Sequence, residues 1–124
     1  MSAAERIAEN LAAIRQRIKQ AAARSGRSAS EIRLVAVTKY VDASISALVV
    51  GAGCRDLGES RPQQLWEKAE ALQEEGPQWH MIGHLQRNKI RRTLPYISLI
   101  HSVDRASTLE AIDRIAGESS IQQA

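Results

Sequence analysis

The stretch LVAVTKY, Leu34 to Tyr40, has four apolar residues that run directly into Thr38 and Lys39. A continuous apolar run rich in β-branched residues is typical of a strand covered on both faces. The sequence therefore predicts a buried strand over 34–37. Because lysine is rarely buried, its position just beyond such a strand calls for a chemical explanation.

The alternation of an apolar strand with a helical pattern repeats along the chain. Further strands are predicted over Arg55–Gly58, 79–83 and 97–103, so that strand starts recur about every twenty residues. Helices are predicted from apolar spacing at Ile45, Leu48 and Val49; at Leu65, Ala69 and Leu72; and at Leu109, Ile112 and Ile115 or Ala116. A short basic helix from Arg87 to about Leu94 is ended by Pro95, and an amphipathic helix with Ile7, Leu11, Ile14 and Ile18 on one face precedes all the strands. This order predicts an α/β fold with a parallel sheet, either an open doubly wound sheet or part of a (β/α)8 barrel.

Composition predicts one domain, over 1–124, of an ordinary cytoplasmic protein. The chain has 124 residues and no segment apolar enough to act as a signal peptide or to span a membrane. Its single cysteine, Cys54, excludes an internal disulfide and fits a reducing compartment. The net charge of +3 permits an anionic ligand but does not by itself indicate nucleic acid.

Polar residues follow each predicted strand. In parallel sheets the carboxyl ends of the strands form one rim, and sites are built there. The four turns are therefore expected to converge on one place through Thr38 and Lys39, Glu59 to Arg61, His84 and Gln86, and Ser102 and Asp104.

Lys39 is the first candidate for chemistry. A lysine fixed at the end of a buried strand can have its amine partly desolvated, which favours the neutral nucleophile. A neutral amine condenses with an aldehyde to give a Schiff base, the usual anchor of pyridoxal phosphate. The alternative is a lysine that extends from the sheet edge into solvent.

His80 and His84 are four residues apart, a spacing that suits a metal pair on a helix. Here the pattern is that of a strand, in which residues four apart lie far from each other. With no third ligand evident, no metal site is predicted. A hydrogen-bonded histidine near the strand end is the favoured interpretation.

A basic patch follows the third strand, with Arg87, Lys89, Arg91 and Arg92. No aromatic residues alternate with these charges to stack bases. The patch is therefore interpreted as a solvated helix face, and nucleic acid is not an expected partner.

Four motifs together carry a family resemblance: LVAVTK (34–39), GAGCRDLGES (51–60), WHMIGHLQRNK (79–89) and IHSVDR (100–105). Their order and spacing, from about residue 5 to residue 116, resemble the YggS/PROSC family of pyridoxal phosphate homeostasis proteins. The resemblance implies a (β/α)8 barrel of the alanine racemase N-terminal-domain type. It also implies that this chain holds only the first half, about four strands, as a single partial barrel domain.

The resemblance also implies a cofactor and its site. Lys39 matches the lysine that holds pyridoxal 5'-phosphate as an internal aldimine, Ser60 stands where the family usually has asparagine, and His84 is a neighbour at the rim. The implied function is intracellular cofactor homeostasis, with delivery to cofactor-dependent apoenzymes. It assigns no catalytic residue and favours a carrier over an enzyme.

Length is the main departure from the family, whose members are about twice as long and grip the cofactor phosphate with their second half. A half barrel leaves two strand edges open, so a homodimer that completes the barrel is expected. Two alternatives remain: a fragment of a cofactor-dependent amino-acid racemase or decarboxylase, and a basic binding module without cofactor chemistry.

Overall fold

The chain forms one parallel sheet with helical connections, and the computed structural model describes residues 1–121 and 123–124. The strands are β1 (Ala36–Val37), β2 (Asp56–Glu59), β3 (Gln78–Met81) and β4 (Ile97–Ile100). The α-helices are α1 (Ala3–Arg24), α2 (Ala43–Gly51), α3 (Pro62–Ala71), α4 (Ile90–Thr93) and α5 (Ala106–Glu118). Single 3-10 turns cover Ala29–Glu31, Arg87–Lys89 and Leu94–Tyr96. The sheet order is β1-β2-β3-β4, all parallel, which confirms the predicted (β/α) units.

The two faces of the sheet have different surroundings. Because side chains alternate along a strand, Leu57, Trp79 and Met81 share one face, and they are buried in a core with residues of α3 and α5. The register Val37–Gly58–His80–Leu99 marks a row on the opposite face. In a closed barrel that second face would be the interior.

The prediction for the first strand is wrong in extent and in burial. Only Ala36 and Val37 form β1, and Val37 is 55% exposed. The reason is that β1 is an edge strand: it has β2 on one side and, within residues 1–121 and 123–124, no strand on the other. β4 is the opposite edge and ends at Ile100, short of the predicted 103, because Ser102 instead donates a hydrogen bond to the carbonyl of Gly83.

The first helix forms as predicted, with a capping box between Ser2 and Glu5. Its apolar face is only partly covered: Leu11 is buried, whereas Ile14 is 42% exposed. Pro95 lies inside a 3-10 turn instead of ending the preceding helix. Proline is tolerated in the first positions of a helical turn because its missing N–H has no partner there.

Gly83 brings two of the connecting turns into contact. A Cβ atom at this position would lie 2.7 Å from the Cα atom of Ser60. Only glycine allows so close an approach of two backbones. The turn after β3 is thus packed directly on the turn after β2, as a shared rim requires.

None of the helices among the described residues is both long and apolar enough to cross a membrane.

Candidate functional site

Lys39 lies at the carboxyl end of the sheet, two residues beyond β1, and is half-buried. Its Nζ atom is 5.0 Å from the centroid of the exposed Tyr40 ring. A cleft of about 240 Å³ is lined by Lys39, Tyr40, Ser60, Arg61 and Gln64. Lys39 also borders a wider cleft of about 490 Å³ between the β1–α2 turn and α3. The amine therefore stands at a concave surface and is not confined to the sheet edge.

Ser60 and His84 occupy neighbouring parts of the same rim. Ser60 is half-buried after β2 and lines the cleft of Lys39. It also lines an adjacent cleft of about 320 Å³, which is bordered by the exposed His84 and by Lys89. The structure thus brings Lys39 and Ser60 together and places His84 one cleft away. Ser102 and Asp104 line neither of these two clefts.

A buried polar network lies directly behind Lys39. The Nζ atom of Lys68 is 2.8 Å from Oε2 of Glu59 and donates to the carbonyl of Thr38 at 2.6 Å. The Thr38 hydroxyl donates to the same Glu59 oxygen. Glu59, Thr38 and Lys68 are 0%, 2% and 8% exposed.

Sequence reasoning missed Lys68, although the chain carries a signal for it. Lys68 is three residues after Leu65 and four before Leu72, so it falls on the buried face of α3. A charged residue on such a face needs a buried partner. Glu59, at the end of the preceding strand, is that partner. Gln64, which lines the cleft of Lys39, carried no comparable signal.

A second network crosses the opposite face of the sheet. His80, 1% exposed, has Nε2 2.9 Å from Oδ1 of Asp56 and Nδ1 2.9 Å from Nε2 of His101. Arg33 makes an ion pair with Asp56 at 2.6 Å. The interpretation of His80 as a hydrogen-bonded histidine is confirmed. Within residues 1–121 and 123–124 no three His, Cys, Asp or Glu side chains are grouped as metal ligands.

The Asp56 network predicts a loss of stability in acid. Burial acts to raise the pKa of Asp56, but hydrogen bonds from Arg33 and His80 outweigh it and hold that pKa below its usual value. The stability from this carboxylate is therefore fully present above the unfolded pKa, about 3.9. It is lost as the pH falls through the lower folded value. Urea unfolding between pH 6 and pH 2 should show this loss, and Asp56→Asn should flatten it.

The exposed Asp113 on α5 provides the matched control for that measurement. Asp113→Asn should leave the acid dependence as steep as in the unsubstituted chain. If the profile of Asp56→Asn were as steep as that of Asp113→Asn, the Asp56 contacts would not persist in solution.

The basic patch makes intramolecular contacts with three of its four charges, since Lys89 also lies 6.0 Å from the centroid of the Trp66 ring. The Arg92 guanidinium lies 4.2 Å from the centroid of the Trp66 ring, and Arg91 makes an ion pair with Glu118 at 2.7 Å. Lys89 also lines the adjacent rim cleft, and Arg87 is exposed. The patch is therefore partly a structural feature and not a continuous solvated face.

Known proteins align with most of this chain, although no family model matches it. The pyridoxal phosphate homeostasis protein of Escherichia coli is 43% identical over 102 residues, which are 80% of this chain and 44% of that protein. The protein of the same name from Mycobacterium tuberculosis is 38% identical over 114 residues, 84% of this chain and 44% of its own. PipY of Synechococcus elongatus, solved with PLP bound, superposes with a TM-score of 0.77 at 36% identity over 92% of this chain and 50% of PipY.

These matches agree in extent and in fold. The chain spans about half the length of the curated relatives it matches. The parallel (β/α) units superpose on half of the solved structure. The resemblance drawn from the four sequence motifs is therefore confirmed, and over the part that it shares with them the chain belongs to the family of pyridoxal phosphate homeostasis proteins.

Proposed function

We propose that this chain binds pyridoxal 5'-phosphate through Lys39 and serves cofactor homeostasis as a carrier, not through catalytic turnover. The observation that carries the proposal is the half-buried Lys39, which lines a cleft together with Ser60 and Arg61. The cofactor bound to PipY supports the same assignment, since this chain matches that protein over half its length.

The chemistry is a condensation that needs neither oxidant nor reductant. The lone pair on the neutral Nζ of Lys39 attacks the aldehyde carbon, and loss of one water molecule leaves a carbon–nitrogen double bond. Ser60 lines the same cleft and would offer its hydroxyl to the cofactor. His84 lines the adjacent cleft, so its proposed role is a contact with the cofactor away from the aldehyde.

The residues present fit one end of the cofactor. A cleft of about 240 Å³ is smaller than the roughly 300 Å³ at which ligand pockets usually begin. It suits the aldehyde and part of the ring, and Arg61 in the same lining supplies a cation for an anionic group. The remainder of the cofactor needs further surface.

A second copy of the chain is the proposed source of that surface. Both edges of the four-stranded sheet end without a neighbouring strand in the described part of the chain, and Val37 on the inner face is 55% exposed. In a two-fold dimer, β1 of each copy would pair with β4 of the other. This arrangement closes an eight-stranded barrel without leaving an edge.

The proposed setting is the cytoplasm, where the buried thiol of Cys54 would stay reduced. Delivery of the cofactor to apoenzymes that need it follows from a reversible linkage: the Schiff base hydrolyses to release the aldehyde. Neither step requires a catalytic residue beyond Lys39.

The test is reduction of cofactor-incubated protein with borohydride, followed by peptide mass spectrometry. The expected result is one stoichiometric adduct at Lys39, absent from Lys39→Ala. Lys19, an exposed lysine on α1, supplies the matched control, because Lys19→Ala should leave the adduct intact. Scattered labelling of surface lysines, unchanged by Lys39→Ala, would contradict the proposal.

A further inference from the structure

All the polar groups of Thr38 are held by neighbouring residues. Its N–H donates to the carbonyl of Gly58 at 3.0 Å, and its hydroxyl donates to Glu59. Its carbonyl accepts from the Lys68 ammonium at 2.6 Å. The residue that directly precedes Lys39 is therefore fixed by β2 on one side and by α3 on the other.

The sheet alone would hold this part of the chain weakly. β1 pairs with β2 through two residues, Ala36 with Leu57 and Val37 with Gly58, and Lys39 lies beyond them. An edge strand lacks the second neighbour that would fix its end. The ammonium of Lys68 adds an anchor from α3, because it donates to the Thr38 carbonyl, which also accepts from the Val41 N–H at 3.2 Å.

Stability is not a sufficient reason for this ion pair. Replacing a buried ion pair with apolar residues of similar volume is often neutral or stabilising. In the described part of the chain, moreover, the second carboxylate oxygen of Glu59 is buried without a hydrogen-bond partner. Both members of the pair instead bind Thr38, the residue next to the reactive lysine: Lys68 donates to its carbonyl and Glu59 accepts from its hydroxyl.

We propose that Lys68 and Glu59 are positioning residues, which hold Thr38 so that the amine of Lys39 enters the cleft shared with Ser60. This inference rests on the proposed function, since it assigns a role towards the Lys39 adduct. The pair does not touch the cofactor. It determines the position of the Lys39 amine, and small misplacements of reacting groups lower a reaction rate by large factors.

The deciding variant is Glu59→Leu combined with Lys68→Met, which removes both charges and keeps an apolar filling. Its urea midpoint should equal or exceed that of the unsubstituted chain. The rate of adduct formation at Lys39 should fall at least about tenfold. Labelling of the exposed Lys19 in the same molecule is the internal reference, so the measured quantity is the Lys39 to Lys19 ratio.

Thr38 provides a second pair of variants that does not disturb the charges. Thr38→Val removes the hydroxyl that donates to Glu59 and should lower the labelling ratio. Thr38→Ser retains that hydroxyl and should restore the ratio to near its original value. A purely structural role would not separate these two variants at equal folded fraction.

The outcomes separate this inference from the function on which it rests. If the double variant folds and labels Lys39 at the original rate, the positioning role is wrong. If the double variant does not fold, equal ratios for Thr38→Val and Thr38→Ser overturn it instead. If the unsubstituted chain labels Lys39 no faster than Lys19, the proposed function itself is refuted, and the positioning role with it.

Discussion

Replacing Glu59 with alanine is expected to lower the free energy of unfolding by about 3–5 kcal/mol, the usual cost of breaking a buried ion pair from one side. The Lys68 ammonium, 2.8 Å from Glu59 and 8% exposed, would be left buried with only the Thr38 carbonyl as a partner. Urea unfolding at a fixed protein concentration measures the loss. The concentration must be fixed because stability depends on it in any chain that dimerises.

Glu67 is the matched control for this substitution. It lies on the same helix as Lys68 but is exposed, so Glu67→Ala should change the free energy of unfolding by no more than about 0.5 kcal/mol. If Glu59→Ala were as mild as Glu67→Ala, the buried pair would be absent from the folded protein in solution.

The Glu59–Lys68 pair also shows what sequence patterns predict well. Periodicity places Leu65, Ala69 and Leu72 on one face of α3, and that face is buried. The alternation of strands and helices predicts the parallel sheet because the repeat extends over most of the chain. The same spacing places Lys68 on that face of α3, but the identity of its partner, Glu59, depends on the tertiary fold.

The first strand shows where local pattern is insufficient. LVAV has the composition of a strand buried on both faces, yet the strand is two residues long and Val37 is exposed. An apolar composition suits a strand that is covered on both faces, as in a closed sheet. It does not show whether a single four-stranded copy covers both faces. The exposure of Val37 is therefore one observation behind the proposed second copy.

The candidate site, too, could be predicted from the sequence only in part. The position of Lys39 after an apolar run made it a candidate at the rim, the family resemblance implied its role as the cofactor lysine, and the structure places Lys39 and Ser60 in the lining of one cleft. The contact of Gly83 with the Ser60 backbone could not be predicted, because it joins two turns from different (β/α) units. The same holds for His101, which reaches His80 across neighbouring strands.

Replacing Val37 with lysine is expected to convert the proposed dimer to monomers. Val37 lies on the inner face of the edge strand β1, where closure of the barrel would bury it. Burying an unpaired ammonium costs several kcal/mol, so the dimer dissociation constant should rise by roughly a hundredfold or more. The monomer itself should remain folded, because Val37 is already 55% exposed in a single copy. Sedimentation equilibrium over a range of concentrations measures the change directly.

The control is Leu109 on α5, which is 58% exposed and lies outside the sheet. Leu109→Lys should leave both the dimer and the Lys39 adduct unchanged. Val37→Lys should lose the dimer and the stoichiometric adduct together, because the second copy is proposed to supply the surface that holds the rest of the cofactor. If the adduct persists in a fully monomeric Val37→Lys protein, one copy is sufficient for binding. In that case the cleft of Lys39, Ser60 and Arg61 must hold the cofactor without the second half of the barrel.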